Sequence, residues 1–269
     1  MSNFICTTCG TQFDETDQPP NECSICTDER QYVGWSGQQW TTLDDLRDSH
    51  RNVVRLEELA LYGVGMEPTF AIGQRALLIT HPKGNVLWDC LPLLDEAVIE
   101  MVRGIGGISA ISISHPHYYS SMINWAETFD CPVFLHAADR QWVMRPDPAI
   151  EFWDGETKEI GDSLTLIRRG GHFEGGTLLH WPEGANGKGV ILSGDILQVV
   201  QDRRWVSFMY SYPNLIPLSA SKVRRIVAAI EPFACDRIYG AWWGKTVFTD
   251  AKEAVERSAD RYIRALVES

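Results

Sequence analysis

The sequence predicts an α/β fold of mixed (α+β) type, one large domain of strands and helices preceded by a small cysteine-rich segment. Three observations carry that expectation. The 269 residues suffice for one large core and an appendage. Apolar, β-branched runs such as Ile108 to Ile113 and Val190 to Leu192 alternate with stretches whose apolar residues recur at helical spacing. Four of the seven cysteines form two Cys-x-x-Cys pairs within the first 26 residues.

Bulk properties narrow the partners. A net charge of -12 argues against nucleic acid or an anionic membrane surface. No apolar run approaches the ~20 residues that span a bilayer. No basic stretch followed by an apolar core marks a signal peptide. An odd cysteine total with paired spacing suits metal binding in a reducing cytoplasm better than a disulfide framework. A cytoplasmic chain acting on a small molecule is expected, with no nucleic acid or membrane partner.

Residues 1–40 are the appendage. Cys6-Thr-Thr-Cys9 and Cys23-Ser-Ile-Cys26 are separated by 13 residues, and four thiolates so spaced can close a tetrahedral zinc site. With few aliphatics, the segment would draw its folding free energy from the metal. A closed four-cysteine site has no open position, so it reads as structural. A redox Cys-x-x-Cys is the alternative, but its strand-helix context is absent. Trp35 and Trp40, in a Gly-rich linker, are expected to dock this segment on the main domain; an exposed binding surface is the other reading. Residues 41–55 hold a short helix to about Arg51, with Thr42 as N-cap and Asp45 at the third position.

The main domain takes residues 56–269. Strands are expected at Val53 to Leu61, Ala71 to Thr80 and Val86 to Cys90. A helix from Asp95 to Gly104 buries Val98, Met101 and Val102. The strand from Ile108 to Ile113 leads into a helix at Ser121–Phe129, with Met122, Trp125 and Phe129 inside, and then a strand from Cys131 to His136. Asp139 and Arg140 are expected to pair on the surface. Strands near Glu151–Trp153, Leu164–Arg168, Thr177–Trp181 and Gly189–Leu192 are assigned to a second sheet, with His180 structural. The aromatic stretch Gln201 to Pro213 either packs in the core or walls a pocket. Helices at Ser219–Ile230 and at Asp250–Val267, the latter capped by Asp250, close the chain. The glycines at 104–107 lack the lysine of a phosphate loop.

Three strand ends concentrate ligand-type residues. After Ile113 come His115 and His117, and residues two apart in an extended segment project to one side. His172 stands among four glycines in Gly170-Gly171-His172-Phe173-Glu174-Gly175-Gly176-Thr177, where backbone can approach a bound group closely. The run from Val190 ends in Ser193-Gly194-Asp195. Three imidazoles and a carboxylate suit a hard-to-borderline divalent metal.

This order of His-x-His, Gly-Gly-His-x-x-Gly-Gly-Thr and Ser-Gly-Asp resembles the metallo-β-lactamase-fold hydrolase superfamily, from about Leu56 to the C-terminus. The four-cysteine segment resembles a rubredoxin-like zinc ribbon. The superfamily resemblance implies a four-layer αβ/βα sandwich with the metal at the edge between two sheets. It also implies that His115, His117 and His172 hold one metal, with Asp195 beside it. The family's first motif is His-x-His-x-Asp-His, and here Tyr119 replaces the Asp and Ser120 the last His. The family's late histidine is also missing, with Trp242 and Trp243 in that region. The second metal position is therefore degenerate and one metal is expected. Asp89, at a strand end, either accepts a hydrogen bond from a ligand imidazole or is a turn carboxylate. Tyr118, His136, Trp242 and Trp243 are candidate pocket residues.

Zinc in such a site lowers the pKa of a bound water from about 15.7 toward roughly 7, enough to attack an ester, thioester, lactone or related bond. Asp195 is either a ligand or the group that orients the water. Tyr119 either donates a proton or, with Tyr118, fills the vacant second-metal volume. Three functions compete: a mononuclear zinc hydrolase; a mononuclear iron enzyme similar to persulfide dioxygenases, using a His/His/Asp facial set; and a non-catalytic metal-binding protein on the same fold.

Overall fold

The structure, a computed structural model, describes residues 1–267. The chain forms two compact units, Met1–Trp153 and Asp154–Ser269.

The first unit opens with β1 (Ser2–Cys6), β2 (Gln12–Thr16) and β3 (Trp40–Thr41), a three-stranded sheet of order β2-β1-β3. Helix α1 (Leu43–Ser49) starts in the expected capping box, Thr42 and Asp45 each satisfying the other's backbone N–H. Strands β4 (Arg51–Glu58), β5 (Leu61–Glu67), β6 (Ala76–Ile79) and β7 (Val86–Trp88) form an antiparallel meander. Helix α2 (Glu96–Gly104), β8 (Ala110–Ser112), α3 (Met122–Phe129), β9 (Val133–His136) and β10 (Ile150–Trp153) follow. The sheet order is β10-β9-β8-β7-β6-β5-β4, with β7 to β10 parallel. Strands β6, β7 and β8 are buried throughout, as apolar runs covered on both faces require. Asp95 caps α2 through the Val98 N–H, and its other oxygen accepts the Asn52 N–H, tying the helix to β4.

Several expectations are corrected in this unit. The strand read as Val53 to Leu61 is a hairpin. It turns at Ala60, in the left-handed region at φ +67°, and β5 went unmarked because Gly63 and Gly65 weaken its strand pattern. The strand read from Ala71 starts only at Ala76, since Ala71 and Gly73 have φ of +50° and +71°. Residues 150–153 belong to the first sheet, not the second, because residues 137–149 give the crossover a parallel partner of β9 needs. Asp139 is buried rather than on the surface, and the Arg140 guanidinium lies 3.6 Å over the Phe152 ring. Trp35 is fully exposed and clamps nothing, whereas Trp40 packs edge-on against Phe13 at 4.9 Å. Backbone bonds dock the cysteine segment instead, from Gln12 N–H to Ser120 O and from Asp14 N–H to Met144 O.

The second unit contains β11 (Thr157–Ile160), β12 (Leu164–Arg168), β13 (Thr177–Trp181), a single turn α4 (Gly184–Gly187) and β14 (Val190–Gly194). Two short ladders follow, β15 (Gln198–Val199) with β16 (Val206–Ser207) and β17 (Met209–Ser211) with β18 (Ile216–Pro217). Helix α5 (Ala220–Ile230), β19 (Arg237–Gly240), β20 (Thr246–Val247) and α6 (Ala251–Val267) complete it. The sheet runs β11-β12-β13-β14-β19-β20, antiparallel except for β14 and β19. Ile226, Ala229 and Ile230 of α5 and Ala254, Val255 and Ile263 of α6 share one core with Ile191, Phe208 and Ile238. Phe208 is thus core. Asp250 precedes α6 with φ +52°, outside the extended geometry of an ordinary N-cap. His180 is structural, its Nε2 2.9 Å from Ala234 O. No helix among the described residues is long and apolar enough to cross a membrane.

Candidate metal centres

Cys6, Cys9, Cys23 and Cys26 converge in the first unit, all buried, with sulfurs within 4.8 Å of one another. The β1–β2 turn carries the first pair and the 23–27 turn the second. Cys6 Sγ is 3.6 Å from Cys26 Sγ, and Cys9 Sγ is 3.7 Å from Cys23 Sγ. A regular tetrahedron with Zn–S bonds of about 2.3 Å has edges of about 3.8 Å, so the cage fits one zinc, whereas a disulfide needs about 2.05 Å. Gln38 Nε2 donates to Cys6 Sγ at 3.2 Å, and its Oε1 accepts the Cys23 N–H. Hydrogen bonds from Cys23 and Cys26 push the Cys6 thiol pKa down, while burial pushes Cys9 up. Ile72, Trp142 and Met144 pack on the cluster.

The histidine pair of the first unit sits just beyond β8. Residues 116–118 form one tight turn, and His115 caps it by accepting the His117 N–H on Nδ1 at 3.2 Å. The two rings stand edge-to-face with centroids 5.3 Å apart, and both residues are buried. Burial lowers the His115 pKa to about 3, so the ring is a neutral donor near pH 7. A metal on Nε2 would move the ring proton to Nδ1 and cost the 3.2 Å contact; a metal on Nδ1 would replace it. Asp89 holds the approach to this turn. It is 1% exposed, has φ +61°, and its Oδ1 accepts the Ser114 N–H at 2.8 Å. Through that bond the carboxylate holds the backbone just ahead of the histidine turn.

Tyr118 packs on the His115 ring at 4.5 Å. Tyr119 is buried, which raises its hydroxyl pKa well above the usual value. Ser120 lies in the left-handed region at φ +47°, and its hydroxyl accepts from Gln74 Nε2 and donates toward Cys90 O. His136 caps the turn after β9 and meets Trp153 edge-on at 4.6 Å.

The second unit brings His172 and Asp195 together. Arg169 N–H and Gly170 N–H both bond to Gly176 O, closing the loop around His172. Gly176 is required there, because a Cβ would lie 2.1 Å from Gly170 O. Asp195 follows β14. His172 Nε2 and Asp195 Oδ1 are 3.7 Å apart, and the residues are 3% and 4% exposed. Tyr212 donates its hydroxyl to Asp195 O at 2.7 Å and faces His172 edge-on at 6.1 Å. The sequence offers Tyr212 only as part of an aromatic stretch, core or pocket wall, and gives no signal for Gln38; each acts through a partner distant in sequence. Trp242 and Trp243 are half-buried in the turn between β19 and β20.

The folding units define an α/β protein with multiple sheets, buried histidines at strand ends and a four-cysteine cluster. The family model of the Metallo-beta-lactamase superfamily matches residues 71–242, and the chain belongs to that superfamily. It is 53% identical over 268 residues to the "Uncharacterized protein YmaE" of Bacillus subtilis (strain 168), covering 99% of this chain and 97% of the relative. Among solved structures it is similar to VMB-1, with a TM-score of 0.60, 14% identity and coverage of 81% of this chain and 99% of that one. The DIM-1 metallo-beta-lactamase exposed to ceftazidime gives 0.61 and 11%, over 78% and 97%. At these identities the structural likeness establishes the fold.

Proposed function

We propose that this chain is a metal-dependent hydrolase, with one zinc ion held by His115, His117, His172 and Asp195 and a second, structural zinc held by the four cysteines. The observation that carries the first site is the 3.7 Å between His172 Nε2 and Asp195 Oδ1. That is too long for a hydrogen bond. It is close to the edge of about 3.4 Å between two donors each about 2.1 Å from one tetrahedral ion. His115 and His117, buried beyond β8 within the superfamily match, supply the other two nitrogen donors in this reading.

When bound, a divalent ion there acidifies water and polarises a substrate carbonyl or phosphoryl oxygen. Asp195 would hold the ion through one oxygen and, with the other, orient and deprotonate a water entering as a fifth donor, while the Tyr212 bond fixes the backbone from which the carboxylate projects. Tyr119, held as a phenol by burial, donates a proton to the leaving group. Tyr118 keeps the His115 ring in place, and Asp89 holds the backbone that presents it. The substrate is a small molecule bearing an ester, thioester, lactone or related bond. The seven cysteines are free, and the four-thiol cage persists where thiols stay reduced, as in a cytoplasm.

Two measurements test this reading. Metal analysis of protein purified without chelator should give two zinc per chain. One zinc and one iron would favour the persulfide-dioxygenase alternative, whose His/His/Asp donor set these residues also contain. A panel of thioesters, lactones and phosphodiesters should show turnover by the metal-replete chain. No turnover across it would favour a non-catalytic binding protein.

A further inference from the structure

The second unit contains a cavity of about 350 Å³ whose walls carry Arg168, Arg169, Lys222 and Arg225 against only two carboxylates, Glu156 and Glu174. In a chain of net charge -12, this concentration of positive charge is not a sampling of the average surface. Arg168 pairs with Glu156 at 3.3 Å and with Glu174 at 3.9 Å, Arg169 pairs with Glu156, and Lys222 pairs with Glu174 at 3.1 Å. Arg225 attracts Glu174 through space but forms no ion pair among the described residues. Two positive charges are left in excess.

The arrangement is unfavourable for the protein alone in two further ways. Arg169 Nε is buried and makes no hydrogen bond among the described residues, and an unpartnered buried donor costs stability. Lys222 lies in the first turn of α5, which holds no acid. A cation there opposes the helix dipole. Lys222, Arg225 and Ala229 fall three and four residues apart, so one face of α5 lines the cavity. A multiply charged anion would relieve both costs.

We propose that this cavity binds a dianionic phosphoryl group, free or carried by a small molecule, through Arg168, Arg169, Lys222 and Arg225. The two excess charges match one phosphoryl dianion, and guanidinium forks bind its oxygens in pairs. Gly170 and Gly171 form part of the wall, and the next residue is His172. Arg168 Nε donates to Glu174 O at 2.8 Å, so the arginine that would hold the anion also braces the His172 loop. The phosphoryl site is a second site of the same unit and does not depend on a metal at His172.

The test is calorimetric titration of the full chain with inorganic phosphate at constant ionic strength, repeated with glycerol phosphate to separate the free ion from a phosphomonoester. Saturable binding with a Kd below about 1 mM is expected from several charge-assisted bonds. The double variant Lys222→Ala/Arg225→Ala, on an accessible helix face, should weaken it at least 10-fold while retaining the wild-type thermal midpoint within a few degrees. Arg169→Gln provides an independent variant and should also weaken it about 10-fold. His117→Ala, which removes a proposed metal ligand in the other unit, should leave phosphate affinity unchanged. Binding lost in His117→Ala and kept in the two cavity variants would put the anion on the metal and overturn the proposal. No saturable binding by the wild type up to about 10 mM would overturn it as well.

Discussion

Ser120 stands where the resemblance puts a histidine, and its surroundings explain why substitution alone would not restore a second metal site. It is 3% exposed at φ +47°, with its hydroxyl between Gln74 and Cys90 O. Ser120→His is expected to lower stability without raising the metal count, as thermal unfolding and elemental analysis would read. Tyr119→Phe removes only the hydroxyl. It should lower kcat about 100-fold on substrates with poor leaving groups and change it little on nitrophenyl esters, since a general acid contributes on the order of 10²–10⁴. Asp89→Ala frees the Ser114 N–H and should weaken metal retention about 10- to 100-fold, the usual effect of losing a ligand's support. His115, His117 and Asp195 stand out in the sequence because each follows an apolar run that stops abruptly, and His172 because it lies among four glycines. Tyr212 was not, since only the folded second unit brings its hydroxyl to Asp195 O, 17 residues back.

Elements were legible where composition and period agreed. Leu164–Arg168 and Thr177–Trp181 are strands at the expected residues, alternating or apolar throughout. The Thr42 capping box marked α1 in the same way. Failures occurred where pairing overrode local pattern: β5 forms despite two glycines because β4 and β6 flank it. Sheet membership of β10 is a matter of crossover length, which its own four residues do not encode. The loop from Arg169 to Gly176 is the element on which the His172 site depends. Gly176→Ala would drive a Cβ into Gly170 O, and it is expected to release the ion proposed at His172 while leaving the cysteine-bound metal in place. Retention of two ions per chain by Gly176→Ala would count against that dependence.

At the scale of the whole molecule, the cysteine cage lies beside the loop that carries the histidine pair, through the bond from Gln12 N–H to Ser120 O. Removing the cage metal with Cys9→Ser/Cys23→Ser should cost one zinc per chain and lower the thermal midpoint by at least about 5 °C. The free energy of a structural zinc is folding free energy, and 1 kcal/mol moves the midpoint by roughly 2–4 °C in chains of 150–250 residues. The central claim concerns the other ion, the one proposed at the histidines. Metal-to-protein ratios of the wild type, His115→Ala, His172→Ala and the double variant test it directly. Two ions are expected in the wild type and one in each of the three variants, because either histidine loss removes the same ion. A double variant that loses more than either single one, or a single variant that keeps both ions, would contradict it.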